Sequence, residues 1–158
     1  AGVAPAMSFS TAAEWKAEGN KLFGAGKYAE AAEAYTQALQ LDDDGVFYSN
    51  RCACRVKLGA LDAAMEDALK LRALKPSWAK AHFREGSVLR AQGRHEDAAR
   101  AYCEAMLLGP SADIADMLRT AVHDANLLEN ESAAALAQRC LTVLDMYEGD
   151  GMKDTSLG

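Results

Sequence analysis

Proline and β-branched residues are scarce in this sequence, and their scarcity bears on the type of secondary structure. Only 3 of the 158 residues are proline, whereas alanine, leucine, glutamate, lysine and arginine are abundant. Proline and β-branched side chains disfavour helix interiors, while the abundant residues are the strongest helix formers. The composition therefore predicts an all-α protein, and the length suits one domain with a sizeable hydrophobic core.

The sequence also lacks an excess of positive charge and any long apolar run. Its formal net charge is -6 at pH 7, and such an acidic chain would repel the phosphates of nucleic acid. No run approaches the roughly 18 to 20 consecutive apolar residues that span a membrane, and the first residues lack the charged-then-apolar profile of a secretory signal. We therefore expect a cytoplasmic monomer that contacts no membrane and binds no nucleic acid.

Cysteine and histidine are too few and too scattered to indicate chemistry. The residues concerned are Cys52, Cys54, Cys103 and Cys140, with His82, His95 and His123. None of the cysteines shows a paired metal-ligand spacing. The histidines stand in no arrangement of nucleophile and base. We therefore expect reduced thiols, no metal site, no cofactor and no enzymatic activity.

A repeat is the strongest feature of the sequence, with a period of 33 and then 34 residues. Small residues recur in register where two helices would approach each other, and glycines recur where the first helix of each repeat would end. The residues in register are Gly19, Cys52 and Gly86, then Gly26, Gly59 and Gly93, then Ala31, Ala64 and Ala98. The period predicts three helix-turn-helix repeats.

These residues resemble the tetratricopeptide repeat (TPR) family, and the resemblance covers residues 12–111. The repeats would span 12–44, 45–78 and 79–111, with helix pairs at 12–25 and 28–41, 45–58 and 61–74, and 79–92 and 95–108. Because no single repeat can bury its own apolar face, the resemblance implies a right-handed solenoid in which the first helices line a concave groove.

The sequence on either side of the repeats predicts a cap and two flexible ends. Apolar residues at helical spacing after Pro110 predict a capping helix at 111–128, which would complete a TPR domain at 12–128. A further helix at 130–148 would either pack on that cap or lead elsewhere. Residues 1–11 are expected to be an expression remnant and a flexible N-terminus, and residues 149–158 a disordered tail.

Polar residues at matched positions of the first helices predict a binding surface. At about 100° per residue they fall within a strip about 100° wide, and they are Lys16, Asn20, Asn50, Lys80 and Arg84. The strip offers ammonium, guanidinium and amide N–H donors, which are the groups that hold carboxylates. An anion with two carboxylates, such as a C-terminal aspartate, would match it.

The five residues look like the two-carboxylate clamp of co-chaperone TPR domains, carried by Lys16-Ala-Glu-Gly-Asn20, Tyr48-Ser-Asn50 and Lys80-Ala-His-Phe-Arg84. In that family the clamp holds the C-terminal Glu-Glu-Val-Asp of the 70-kDa and 90-kDa heat-shock chaperones. The resemblance implies that Lys16, Asn20 and Asn50 would hold the terminal carboxylate. It likewise assigns the last aspartate side chain to Lys80 and the preceding peptide to Arg84.

Several assignments remain open at this point. Phe23, Ala53 and Val56 would either receive apolar side chains of the peptide or pack in the core. Arg51 and Arg55 are expected to be solvated or paired with carboxylates. The domain could also be a TPR scaffold for a different protein partner, or the chaperone-docking fragment of a longer multidomain protein.

Overall fold

The structure, a computed structural model, describes residues 8–149 and contains no strand among them. The helices are α1 Ala12–Gly24, α2 Tyr28–Leu41, α3 Gly45–Lys57, α4 Leu61–Leu74, α5 Ala79–Ala91, α6 His95–Leu108, α7 Ala112–Asp124 and α8 Ala134–Gly149, with a short 3-10 helix at Glu131–Ala133. The all-α prediction and the three predicted helix pairs are confirmed. No helix within the described range has both the length and the apolar content to cross a membrane.

The turns inside the three repeats explain why the helix pairs begin and end where the sequence predicts. Gly26, Gly59 and Gly93 take φ values of 75°, 73° and 77°, a left-handed conformation that glycine adopts without steric cost. In the first of these turns the N–H of Gly26 donates to the carbonyl of Phe23 at 3.0 Å. The second helix then starts two residues after each glycine.

The chain divides into two compact units after Leu74. In the first unit α1 packs on α2, α2 on α3, and α3 on α4. In the second unit α5 packs on α6, which also contacts α7 and α8, and α7 contacts α8. The last helix therefore packs back on the capping helix and on the third repeat, which is one of the two alternatives that the sequence left open.

Close contact between a glycine and a tyrosine joins the two helices of the first and third repeats. A Cβ added to Gly19 would lie 2.6 Å from the ring of Tyr35, and one added to Gly86 would lie 2.7 Å from the ring of Tyr102. In the second repeat an alanine stands in place of the tyrosine, and Cys52 stands in place of the glycine. A larger residue on one helix is thus accompanied by a smaller one on the other, which preserves the close approach.

The ends of the last two helices differ from the predicted ones. α7 stops at Asp124 rather than continuing to 128, because Asn126 takes a left-handed φ of 50° and the N–H of Leu127 donates back to the carbonyl of Val122 at 3.1 Å. α8 begins only at 134, after the 3-10 helix that Asn130 caps. A left-handed backbone at Asn126 and the side-chain cap of Asn130, which helical periodicity does not report, cause the two differences.

The predicted flexible segments lie largely outside the described residues. For 1–11, only residues 8–11 are described, and Phe9 already packs edge-on against Trp15 with ring centroids 4.9 Å apart. Ordered contacts therefore begin earlier than predicted. For 149–158, only Gly149 is described, and it is the last residue of α8 rather than part of a tail.

Candidate functional site

Two of the five predicted carboxylate-binding residues, Lys16 and Asn20, lie one turn apart on α1. Thr11 caps the N-terminus of this helix, and its hydroxyl accepts a hydrogen bond from the N–H of Glu14 at 3.2 Å. Asn20 is exposed, and its Oδ1 accepts a hydrogen bond from the hydroxyl of Tyr35 on α2 at 2.6 Å. Because that bond engages the carbonyl end of the amide, the Nδ2 group of Asn20 is presented as a donor.

Asn50 lies on α3 and is half-buried. Asp44 caps the N-terminus of this helix, and its carboxylate accepts a hydrogen bond from the N–H of Val46 at 2.9 Å. α2 packs against both α1 and α3, so Asn50 belongs to the same compact unit as Lys16 and Asn20. The structure thus places the three residues on α1 and α3, which are the first helices of the first and second repeats.

Lys80 and Arg84 lie one turn apart on α5, and both are half-buried. Burial lowers the pKa of Lys80 below its ordinary value, and the nearby charge of Arg84 lowers that pKa further. Both effects disfavour the charged form of the lysine. An anion bound between the two side chains would relieve their mutual repulsion, so this pair favours an anionic ligand.

The five residues are therefore arranged as one group on the first unit and one on the second. Lys16 and Asn20 lie one turn apart on α1, Asn50 lies on α3, and Lys80 and Arg84 lie one turn apart on α5. The assembly of both groups into one pocket stays a prediction from the repeat register.

The three predicted apolar contacts of a peptide are all half-buried. The ring of Phe23 meets the ring of Tyr28 edge-on, with centroids 5.1 Å apart. It also packs on a buried cluster to which Tyr35 belongs. Phe23 thus contributes to the core of the first unit, and the role of Phe23, Ala53 and Val56 in binding a peptide stays a prediction.

A buried ion-pair network, which the sequence did not predict as such, ties three helices of the first unit together. Nη2 of Arg51 lies 2.7 Å from Oδ1 of Asp67, and Nη1 of Arg55 lies 2.8 Å from Oδ2 of the same carboxylate. Arg51 also donates to the hydroxyl of Thr36 at 3.0 Å. Asp67 is only 2% exposed. Of the two alternatives for these arginines, pairing with a carboxylate is confirmed.

Two aromatic residues next to the predicted clamp were missed as well. Tyr35 fixes the amide of Asn20, and the indole of Trp78 lies beside Lys80, with the lysine Nζ 5.3 Å from the ring centroid. The role of Tyr35 could have been suspected from its position, because it follows Asn20 by about half a repeat and therefore lies on the facing helix. Trp78 immediately precedes α5, which is the only sequence signal that it gives.

No group of three or more histidine, cysteine, aspartate or glutamate side chains within residues 8–149 could hold a metal ion. The four cysteines are free and buried. The thiols of Cys103 and Cys140 interact with each other by a hydrogen bond. All four side chains are therefore part of the buried interior of the described residues.

Comparisons with known proteins agree with this fold. A family model described as Tetratricopeptide repeat matches residues 12–44. Small glutamine-rich tetratricopeptide repeat-containing protein 2 of Mycosarcoma maydis is 36% identical over 104 residues, which is 65% of this chain and 30% of that protein. Hsp70-Hsp90 organizing protein 1 of Glycine max is 35% identical over 115 residues, which is 72% of this chain and 20% of that protein.

A solved structure extends the comparison over most of the described residues. The first TPR of Spaghetti (RPAP3), bound to the HSP90 peptide SRMEEVD, has a TM-score of 0.68 and 30% identity, covering 73% of this chain and 94% of that one. The chain spans less than a third of the two curated relatives, at 30% and 20% of their lengths. The repeats, the helix pairs and the match along nearly the whole of a TPR domain show that this chain belongs to the tetratricopeptide repeat family.

Proposed function

We propose that this domain is a co-chaperone or adaptor module that binds the C-terminal Glu-Glu-Val-Asp of 70-kDa or 90-kDa heat-shock chaperones through a carboxylate clamp. The RPAP3 domain to which it is similar is bound to an HSP90 peptide that ends in this sequence. A second relative is an Hsp70-Hsp90 organizing protein. Both similarities support a chaperone tail as the ligand.

The observation that carries the proposal is the cation pair on α5. Lys80 and Arg84 are half-buried and one turn apart, and both burial and the arginine charge lower the pKa of the lysine. Bringing two cations together and partly out of water is unfavourable by itself. A dicarboxylate such as a C-terminal aspartate would offset that cost with charge-assisted hydrogen bonds.

The first unit would supply the other half of the clamp. Lys16, Asn20 and Asn50 would hold the terminal main-chain carboxylate, with the amide of Asn20 aligned by Tyr35. Lys80 would bind the side chain of the last aspartate. The guanidinium of Arg84 would bind a carbonyl of the preceding peptide.

The expected affinity follows from these bonds. Hydrogen bonds to charged groups contribute roughly 1.5–3 kcal/mol each. The entropy lost when a flexible tail is ordered and immobilised on the protein offsets a large part of that sum. We therefore expect reversible binding with a Kd near the micromolar level, weakened by salt.

Expectations for the compartment, for enzymatic activity and for the full-length protein follow from the same proposal. The domain would act in the cytoplasm by binding alone, without a reaction of its own. Because the chain spans 30% and 20% of two relatives, it is compatible with a docking fragment of a longer protein. A TPR scaffold for a different partner is the alternative that the experiment below would reveal.

Calorimetry with two peptides tests the proposal. Met-Glu-Glu-Val-Asp is titrated into the protein as the free acid and as the C-terminal amide, and the protein is used as wild type, as Lys80→Ala and as Lys70→Ala. Lys70 is an exposed lysine on α4, so its variant controls for the loss of one positive charge.

We expect the free acid to bind near the micromolar level, and Lys80→Ala to weaken that binding roughly 10- to 100-fold. Lys70→Ala should bind as the wild type does, and the amide should bind much more weakly than the free acid. Equal binding of both peptides, or no binding at low salt, would contradict the clamp and favour a different partner.

A further inference from the structure

The side chains of two lysines lie over the indole ring of Trp78. The Nζ of Lys80 lies 5.3 Å from the ring centroid and the Nζ of Lys75 lies 5.1 Å from it. Both distances are within the range of about 6 Å over which the face of an aromatic ring attracts a cation. Lys80 belongs to the proposed clamp and Lys75 does not.

The indole is held by the turn that leads into α5. The N–H of Trp78 donates to the carbonyl of Lys75 at 3.1 Å, and its own carbonyl accepts from the N–H of Ala81 at 2.9 Å. Nε2 of the His82 ring donates a hydrogen bond to the carbonyl of Pro76 at 2.9 Å. The backbone on both sides of Trp78 is therefore fixed, and the half-buried indole stands at a defined place beside the first turn of α5.

Lys80 is a residue that needs such support. A lysine side chain has four rotatable bonds and loses much conformational freedom when it is ordered. Burial removes part of the water around its ammonium group, and Arg84 repels it. The electron-rich face of an indole attracts the ammonium group without neutralising its charge, so it opposes both effects and holds the group in place.

We propose that Trp78 is a positioning residue of the clamp, whose indole holds the Lys80 ammonium group where the side-chain carboxylate of the last peptide residue binds. This inference rests on the proposed function, and it assigns a role to a residue outside the five of the clamp. Trp78 acts on the affinity only through Lys80. The same geometry makes the indole fluorescence a reporter of the clamp, because a bound carboxylate alters the charge beside the ring.

A double-mutant cycle tests this role with the free-acid peptide Met-Glu-Glu-Val-Asp. The proteins are the wild type, Trp78→Leu, Lys80→Ala and the double variant, with Trp78→Phe added to restore an aromatic face. Trp78 makes no side-chain cap hydrogen bond at the start of α5, so these substitutions leave the helix cap unchanged. Lys75→Ala is the matched control, since it removes the other cation from the same ring.

We expect Trp78→Leu to weaken binding about 3- to 10-fold, Trp78→Phe to recover part of the loss, and Lys75→Ala to change the affinity less than about 2-fold. In the Lys80→Ala background, Trp78→Leu should cause no further loss. An equal loss in both backgrounds would overturn the inference, because Trp78 would then act on the fold rather than on Lys80. Unchanged affinity of Trp78→Leu in the wild-type background would overturn it as well.

A second measurement needs no change at Trp78. The chain has 2 tryptophans, so Trp15→Phe leaves Trp78 as the only indole. The free-acid peptide should change its emission, and Lys80→Ala should abolish that change. Unaltered emission during binding would refute the inference while leaving the clamp intact, whereas failure of the wild type to bind the free acid would refute the proposed function itself.

Discussion

The hydroxyl of Tyr35 can be tested directly by one substitution, Tyr35→Phe. It donates to Oδ1 of Asn20 at 2.6 Å from a residue that is only 2% exposed. Removing it takes away one hydrogen bond, with an expected loss of about 0.5–1.5 kcal/mol in the free energy of unfolding. It also frees the amide of Asn20 to rotate. Ordering a side chain on binding costs about 0.5–1.5 kcal/mol, so the affinity for the free-acid peptide should fall roughly 2- to 10-fold.

The third repeat offers a matched control for this substitution. Tyr102 is fully buried against Gly86, just as Tyr35 lies against Gly19. Its hydroxyl donates to the hydroxyl of Ser87 at 3.5 Å, and Ser87 is not part of the clamp. Tyr102→Phe should therefore leave the peptide affinity at its wild-type value.

Calorimetric titrations of both variants, with urea unfolding curves recorded on the same samples, separate binding from stability. If the two variants lose affinity equally, the tyrosine hydroxyl acts through repeat stability and the account of Asn20 is wrong. Wild-type affinity of Tyr35→Phe would refute it too.

Three further predictions concern the core and the clamp. Asp67→Ala should lower the free energy of unfolding by about 3–5 kcal/mol, because two guanidinium groups lose their buried carboxylate. Glu66→Ala, at an exposed neighbour, should change it by less than about 0.5 kcal/mol in the same urea denaturation. Gly19→Ala should cost about 1–3 kcal/mol in thermal unfolding, because the new Cβ would lie 2.6 Å from a tyrosine ring. Gly24→Ala, with no atom within 4 Å of its Cβ, should be neutral or stabilise by up to about 1 kcal/mol. Because the pKa of Lys80 is lowered and a bound carboxylate favours the charged form, affinity should be full below that pKa and fall as the pH rises through it. Calorimetry from about pH 7 up to the ordinary pKa of lysine should show this fall, and Lys80→Arg should remove it, since a guanidinium stays charged throughout that range.

The helix pairs could be predicted from the sequence because three kinds of signal coincide in each repeat. The glycines at the turns, the small residues at the helix contacts and the period of 33 and 34 residues all mark the same boundaries. The end of α7 and the start of α8 could not be placed equally well. They depend on Asn126 and Asn130, whose effect comes from backbone conformation and a side-chain cap rather than from periodicity.

The candidate site was predictable only in part, for a related reason. Lys16, Asn20, Lys80 and Arg84 stand at repeat positions of first helices, so their shared face can be calculated from the helical period. Asp67 has no such signal, because its arginine partners lie on a different helix and their pairing depends on how the helices pack. The supporting roles of Tyr35 and Trp78 likewise become visible only once side chains from neighbouring segments are seen in contact.

The most direct test of the central claim is to record ¹⁵N NMR spectra of the domain during titration with the free-acid and the amidated Met-Glu-Glu-Val-Asp peptides. The account predicts that the free acid shifts the side-chain amide signals of Asn20 and Asn50 together with the backbone signals around Lys80 and Arg84, and that the amidated peptide leaves the two asparagine signals in place. Identical shifts with both peptides, or shifts confined to other helices, would contradict a clamp for the free carboxylate.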